Sequence, residues 1–186
     1  MSPPLSNVTD SQLHRLIYSN WDFQQALSAL TFLTNECDFH ADYNRVDLRK
    51  FRCYESSLII SFARPFEPAR GQTALGLRTI GVQLDAQERE LKEVMLNLRR
   101  KIIAHSDEDR MHYRGSTHQL LEDSPINLPL FQYVESLHIG EAQCRPLNAL
   151  LRKLTSGISK ALFKLAQTAP DRLNHYKQPD ASSTVA

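Results

Sequence analysis

The sequence is short of the features that mark secreted, membrane-spanning and disulfide-rich proteins. Only three cysteines occur among its 186 residues, and their spacing fits neither a disulfide framework nor a zinc motif. No apolar run approaches the ~20 residues that a transmembrane helix needs. The first ten residues hold neither a basic segment nor an apolar core, so they do not resemble a signal peptide. We therefore expect reduced thiols and a cytoplasmic location.

An excess of charge of either sign is also missing. The 22 Lys and Arg residues nearly balance the 21 Asp and Glu residues, which leaves a formal net charge of +1. Bulk electrostatics therefore gives no general case for nucleic-acid binding, and an anionic ligand would have to meet a local cluster of cations. The length and the composition are typical of one globular domain. We assign residues 9–168 to that domain, with flexible segments at 1–8 and 169–186.

What the sequence does contain is apolar residues at helical spacing. They predict about five helices, over residues 10–36, 45–64, 85–105, 128–140 and 145–168. Residues 65–84 and 106–127 are predicted loops, and the second contains at most one short β-hairpin around Gly115. The predicted fold class is all-α, an up-and-down helical bundle.

The helix over 85–105 carries the most informative pattern. Leu91, Leu98 and His105 lie seven residues apart, which sets the imidazole within roughly 20° of Leu98 and roughly 40° of Leu91 on the apolar face. Arg99 falls on the flank of this face and Arg100 on the back. Two interpretations follow: a histidine at the edge of the core with arginines in solvent, or a cation and an imidazole placed to handle a phosphate.

Glu55 falls on the apolar stripe of the second predicted helix. An unpaired buried carboxylate is costly, so Glu55 needs a partner or has to be protonated. Arg99 or His105 would be a suitable partner. The alternative is that Glu55 lies at the edge of the bundle and reaches water.

Other notable residues favour ordinary structural roles. Trp21 lies among apolar positions of the first helix, which favours a core or dimer contact over a platform for a ligand. His112 and His118 are six residues apart in a loop, which is too sparse a pattern for a metal site. We predict neither a metal nor a cofactor.

The segment Leu98–Asp107, LRRKIIAHSD, resembles the signature of the HEPN superfamily. That signature is an arginine, four to six residues and then a histidine, on a late helix of an α-bundle. The Ala-His-Ser-Asp ending is most similar to the abortive-infection and uncharacterised bacterial branches. The end of the earlier helix, Ile59–Arg64, is also similar to theirs. Family members typically dimerise with their motif helices together, and many are metal-independent ribonucleases of toxin, antiphage or RNA-processing systems.

The resemblance implies His105 as the catalytic histidine and Arg99 as the motif arginine. It adds Arg100, Ser106 and Asp107 as supporting residues, together with Glu55 from the stripe argument. The family commonly has Asn, Asp or His directly after its arginine, whereas this chain has Arg100. That departure leaves a second alignment, in which Arg100 pairs with His105.

The residue types suit RNA cleavage without a metal. Imidazole can deprotonate the 2′-hydroxyl or protonate the leaving 5′-oxygen near neutral pH. A guanidinium can bind the transition-state phosphate, and a two-fold dimer would supply acid and base from different subunits. The predicted function is a HEPN-like endoribonuclease, with a second copy, RNA and an antitoxin or other protein as partners. The alternative is a non-catalytic helical-bundle module that binds RNA or protein.

Overall fold

A computed structural model describes residues 8–67, 73–103, 113–119, 125–133 and 135–173. Within these ranges the chain is mostly helical, with four α-helices and one two-stranded antiparallel sheet. The helices are α1 (Asp10–Glu36), α2 (Arg45–Ala63), α3 (Ala86–Leu98) and α4 (Glu141–Thr168). A π-helical turn, Arg99–Ile103, continues α3 and leads towards the strands β1 (Tyr113–Gln119) and β2 (Asn127–Tyr133). A 3₁₀ turn, Pro170–Leu173, follows α4.

Side-chain caps fix where the first three helices begin. Thr9 and Gln12 form a capping box at α1, and Asp85 and Glu88 form another at α3. The Asn44 side chain accepts two backbone N–H groups at the start of α2. Each cap satisfies amide groups that a helix start leaves unpaired. The predicted starts of these three helices are therefore confirmed.

The core lies where α1 packs against α2 and α4. Leucines, isoleucines and phenylalanines from these helices form one buried cluster, to which α3 adds Met95 and Leu98. α1 runs without a break through Ser19 and Asn20. The connection from α2 to α3 is not a plain surface loop, because Leu75, Ile80 and Val82 are buried in the same cluster. No helix in the described ranges is long and apolar enough to cross a membrane.

The predicted helix over 128–140 is wrong. Residues Asn127–Tyr133 instead form β2, which pairs with β1 in antiparallel register from Tyr113↔Tyr133 to Gln119↔Asn127. Pro129 suits the first turn of a helix, but it is followed by Phe131 and Tyr133, which favour a pleated strand. The hairpin that the sequence allowed does exist, but Gly115 lies inside β1 rather than in the turn.

The last helix begins four residues before its predicted start at 145. The N–H of Gly140 donates to the Gln143 side chain at 2.9 Å, which starts α4 at Glu141. Pro146 therefore lies in the second turn of the helix rather than at its beginning. Its missing N–H removes only one bond to a carbonyl near the helix start, where the neighbouring residues are exposed.

Two carboxylates fasten the segment before α4 to α2. Arg49 on α2 donates to both oxygens of Glu135, at 3.0 and 2.8 Å. Glu55 on the same helix accepts the backbone N–H groups of His138 and Ile139, at 2.6 and 2.7 Å. The chain is thus anchored immediately after it leaves the hairpin.

Candidate functional site

The candidate site is built where α3 passes into its π turn. Leu98, the last residue of α3, is buried in the core. The next two residues, Arg99 and Arg100, turn towards the end of α2 and the residues that follow it. There Phe66 packs against Phe23 and Phe62, which holds the adjoining Glu67 beside the arginines.

Both arginines pair with one carboxylate, and we call Glu67, Arg99 and Arg100 the Glu67 cluster. The Nη1 atom of Arg99 lies 2.5 Å from Oε2 of Glu67. The Nε atom of Arg100 donates to Oε1 at 2.6 Å. The Oε2 contact is an ion pair whose angles are outside those of a hydrogen bond. Two guanidinium groups therefore share one negative charge, which leaves the cluster with a net charge of +1.

The cluster faces solvent on its cationic side. The Glu67 side chain is only 16% exposed, whereas those of Arg99 and Arg100 are 38% and 52% exposed. A guanidinium has five N–H donors, so the two arginines keep several donors that the carboxylate does not use. An anion approaching from solvent would meet these donors before it met Glu67.

The helical wheel places Arg99 on the flank of the apolar face and Arg100 on the back. The exposed fractions of the two side chains follow that order, at 38% for Arg99 and 52% for Arg100. The chain leaves α-helical geometry after Leu98, where a π turn with i→i+5 hydrogen bonds begins. Both long side chains nevertheless reach the same carboxylate, which the wheel does not predict.

Glu55 does not belong to this site. It is buried as the stripe argument requires, but its partners are the amides of His138 and Ile139 rather than Arg99. The expectation that it reaches water at the bundle edge is also wrong, because its exposure is 2%. Burial raises the pKa of Glu55 above its ordinary value, against the lowering effects of the two amides and of Arg52.

Three residues of the predicted site, His105, Ser106 and Asp107, lie outside the described residues. The same is true of His112, and of the terminal segments 1–7 and 174–186. The role assigned to His105 and the pairing of His105 with Arg99 or Arg100 therefore stay predictions.

Sequence reasoning missed Glu67, and it missed a second ion pair nearby on the α1–α2 packing. Asp22 of α1 is buried, and its Oδ1 lies 3.5 Å from Nη1 of Arg64 at the end of α2. Burial raises the pKa of Asp22, while Arg64 and then Arg15 lower it. Arg15 is also buried, and its Nε donates to the Thr73 carbonyl at 2.6 Å. Arg15 and Asp22 lie at positions of α1 whose helical spacing matches that of its buried apolar residues, and this pattern could have identified them. Glu67 follows the end of α2, where no helical spacing exists to identify it.

The buried thiols offer no competing catalytic site. Cys37 and Cys144 line a cavity of about 610 Å³ between the end of α1 and the start of α4. Burial raises the pKa of both thiols, which keeps them protonated and weakly nucleophilic. The third thiol, that of Cys53, is exposed, and none of the three cysteines forms a disulfide within the described residues. In the part of the chain that the structure describes, no three His, Cys, Asp or Glu side chains gather as metal ligands.

Comparison with known proteins adds no relative. The chain matches no protein-family model, no curated protein and no solved structure. The resemblance to the HEPN signature therefore stands on the residues of this chain, and the Glu67 cluster is judged on its own geometry.

Proposed function

We propose that this chain is a HEPN-like, metal-independent endoribonuclease that binds the scissile phosphate with Arg99 and Arg100 and uses His105 for proton transfer. The observation that carries the proposal is the convergence of two half-exposed guanidinium groups at the end of α3. They lie five and six residues before the histidine in sequence, which is the spacing of the resembled motif.

Charge supports a phosphate as the ligand. The whole chain is close to neutral, so an anion needs a local cluster of cations, and the Glu67 cluster supplies one. Guanidinium groups bind phosphate oxygens with paired hydrogen bonds and keep their charge at any physiological pH. Glu67 offsets one of the two positive charges, so an arriving phosphate would compete with this carboxylate for the arginines.

The π turn is a second supporting feature. Such turns are rare, and they occur frequently at functional sites. Here the turn contains Arg99 and Arg100, the two residues whose guanidinium groups both contact Glu67. The backbone therefore departs from α-helical geometry at the residue where the motif begins.

The proposed reaction follows from the residue types. His105 would take the 2′-hydroxyl proton, and the resulting oxygen would attack the adjacent phosphorus while the 5′-oxygen leaves. A second imidazole, from the other copy of a two-fold dimer, would give the proton to that leaving oxygen. Arg99 and Arg100 would stabilise the negative charge that grows on the phosphate oxygens. The products are a 2′,3′-cyclic phosphate and a 5′-hydroxyl.

The test is cleavage of labelled single-stranded RNA and transfer RNA in the presence of EDTA. The wild-type protein is expected to leave 2′,3′-cyclic phosphate ends, and His105→Ala is expected to lose at least a hundredfold in rate while it still binds RNA. Arg99→Ala and Arg100→Ala should both lower the rate. Intact wild-type protein that binds these RNAs and cuts none of them would overturn the nuclease proposal.

Matched controls exist for both residue types. Arg89 lies on α3 and donates to the backbone carbonyl of Asp85, so Arg89→Ala removes the same charge from the same helix. His40 is exposed in the connection between α1 and α2, where it pairs with Glu141. His40→Ala and Arg89→Ala are expected to cleave at the wild-type rate.

A non-catalytic RNA-binding or protein-binding module is the second candidate. The observation that favours it is that Arg99 and Arg100 are both engaged by Glu67. Arg100 also stands where the family commonly has a polar residue that orients the site. RNA binding that needs Arg99 and Arg100, without cleavage by the wild-type protein, is the outcome expected of such a module.

A further inference from the structure

Both strands of the hairpin are exposed to solvent along their whole length. Each of the seven residues of β1 and each of the seven of β2 is exposed, on both faces of the sheet. Six large apolar side chains are among the exposed ones, five of them in or beside β2. A lone two-stranded hairpin is at best marginally stable in water, and a further packing surface is what normally stabilises it.

The two faces of the hairpin differ in chemistry. The register places Tyr113 and Tyr133 opposite each other, and Gly115 opposite Phe131, so these residues share one face. Phe131 meets Tyr113 edge-on at a centroid distance of 6.2 Å, and it lies over Gly115, where an added Cβ would be 3.5 Å from its ring. Within the two strands Arg114 is the one Lys, Arg, Asp or Glu residue, and it lies on the opposite face. We call the face of Tyr113, Phe131 and Tyr133 the aromatic face.

The outer surface of α1 is the second exposed apolar surface. Its charged residues between the two ends, Arg15 and Asp22, are both buried. The exposed positions between Asp10 and Glu36 carry no Lys, Arg, Asp or Glu, although such residues make up 23% of the chain. Trp21 is 61% exposed on this surface, together with Ile17, Tyr18 and Phe32. A core role for Trp21 is therefore wrong. We call these four residues the α1 surface.

We propose that the chain forms a two-fold dimer in which the aromatic face of each copy packs on the α1 surface of the other. Both surfaces are uncharged and rich in aromatic side chains, so they match each other in chemistry. A reciprocal exchange gives each copy the same two contacts and closes the assembly at two subunits. The proposal does not depend on the proposed function, because it uses no residue of the Glu67 cluster.

The surfaces are large enough for a stable dimer. Seven residues of strand extend about 24 Å, and a two-stranded face is about 10 Å wide. α1 has 27 residues and offers a longer surface than the hairpin can cover. Two reciprocal contacts of this size bury about 1,000 Å² in total, which reaches the lower limit for specific interfaces. Exposed Trp, Tyr and Phe are also the residue types that are enriched in such interfaces.

We expect the partner to contact the face of the hairpin rather than to add a strand to its edge. Pro129 lies in the middle of β2 and cannot donate a ladder hydrogen bond. Prolines at such positions discourage edge-to-edge pairing of strands. The aromatic face has no corresponding obstacle.

Charge argues against RNA or a membrane as the occupant. A surface that stacks nucleic-acid bases also needs cations for the backbone, and a membrane-binding helix carries Lys or Arg beside its apolar residues. The exposed residues of α1 between its two ends include no Lys or Arg. Lys50 of α2 lies over Tyr54, which contacts Phe32, but this lysine is paired with Glu36. Arg114 lies on the face of the hairpin opposite the aromatic face. An uncharged protein surface rich in aromatic residues can bind here without any additional cation.

The first test is sedimentation equilibrium of the full chain at micromolar concentrations. The wild-type protein is expected to be a dimer, and Trp21→Glu and Phe131→Glu are each expected to raise the dimer dissociation constant at least tenfold. The milder variants Trp21→Gln and Phe131→Gln should shift it in the same direction, and far-UV circular dichroism checks that each variant is folded. Val46 and Phe163 are as exposed as these residues but lie elsewhere, so Val46→Glu and Phe163→Glu should leave the dimer intact.

The second test distinguishes the reciprocal arrangement from helix-to-helix or hairpin-to-hairpin packing. A mixture of Trp21→Glu and Phe131→Glu protein can form a heterodimer in which one of the two contacts is fully wild-type. This heterodimer is expected to be tighter than either variant homodimer, whereas the other two arrangements predict no recovery.

Three results would overturn the proposal. They are a monomeric wild-type protein, a dimer that survives both glutamate variants, and a mixture that shows no recovery. Single-stranded RNA binding that is lost in Phe131→Glu, with a monomeric wild-type protein, would assign the aromatic face to nucleic acid instead.

Discussion

The Oε1 atom of Glu55 accepts the backbone N–H of Ile139 at 2.7 Å, so a side chain from α2 caps the chain just before α4 begins. The same oxygen accepts the N–H of His138 at 2.6 Å. Glu55 lies among apolar residues of α2, and its burial is tolerated because its carboxylate accepts the buried N–H of Ile139 and the part-buried N–H of His138. The contact joins two helices that are 77 residues apart in the chain.

Replacing Glu55 by Ala is expected to destabilise the fold by roughly 2–4 kcal/mol, because the buried amide of Ile139 and the part-buried amide of His138 lose this acceptor. The measurement is the free energy of unfolding in urea at pH 7. Glu90 is exposed on α3, and Glu90→Ala is the control that should change this free energy by no more than about 0.5 kcal/mol. Equal effects of the two substitutions would contradict the capping role of Glu55.

The raised pKa of Glu55 predicts a pH dependence of stability with a definite sign. Burial lifts this pKa above its ordinary value of 4.5, so the folded state holds the proton more tightly than the unfolded state. The stabilising contribution is complete below pH 4.5 and is lost as pH rises through the folded-state pKa. Compared with Glu55→Gln, the wild-type protein should therefore lose stability as pH rises from 4 towards 7.

The comparison with Glu55→Gln isolates this effect from other carboxylates. Asp22 has a raised pKa as well, and Lys50 and Arg49 lower the pKa values of Glu36 and Glu135, but all three carboxylates are present in both proteins. Their contributions cancel in the difference between the two unfolding free energies. A difference that is constant between pH 4 and 7, or that grows in favour of the wild-type protein, would show that burial does not control Glu55.

Local signals were sufficient to predict most of the helices. Thr9, Asn44 and Asp85 act on amides within three residues of themselves, and a contact this local can be inferred from spacing alone. Residues 127–133 were assigned to the wrong class of element because a proline followed by apolar residues suits both a helix start and a strand. Pairing with β1 decides between the two, and a strand pair is not a local property.

The candidate site was only half accessible to sequence reasoning. Arg99 and Arg100 were identified by their spacing to His105, but a helical wheel gives only the direction in which each residue leaves the helix, so it could not predict that both side chains reach one carboxylate. Glu67 lies 32 residues before Arg99, in a connection without periodicity. Nothing in the local sequence marks it as the partner of two arginines.

Gly157→Ala is expected to destabilise the protein, although alanine is the better helix former. A Cβ at Gly157 would lie 2.5 Å from Cγ2 of Val82 and 2.9 Å from the carbonyl oxygen of Ile80. Helix propensity favours alanine by about 1 kcal/mol, but overpacking against backbone costs about 1–3 kcal/mol or more. The net effect in urea unfolding should be a loss of stability.

The neighbouring Ser156 provides the control for this substitution. It is exposed on α4, so Ser156→Ala gains helix propensity without a clash and should keep or raise the free energy of unfolding. A Gly157→Ala protein as stable as Ser156→Ala would show that the chain over residues 80–82 moves away from α4 at little cost.

Removing the negative charge of Glu67 is expected to strengthen RNA binding. Glu67→Gln frees Arg99 and Arg100 from a competing carboxylate and raises the local net charge by one. One further cation facing phosphate should steepen the dependence of log K on log salt by about 1 and raise affinity several-fold at low salt. Anisotropy of labelled single-stranded RNA at several salt concentrations measures both quantities.

The control is Glu93→Gln. Glu93 pairs with Lys92 on α3, so this substitution removes one negative charge from the helix without touching the Glu67 cluster. If Glu67 serves chiefly to position the arginines, Glu67→Gln would instead weaken binding while Glu93→Gln leaves it unchanged, and that result would contradict competition between Glu67 and the phosphate.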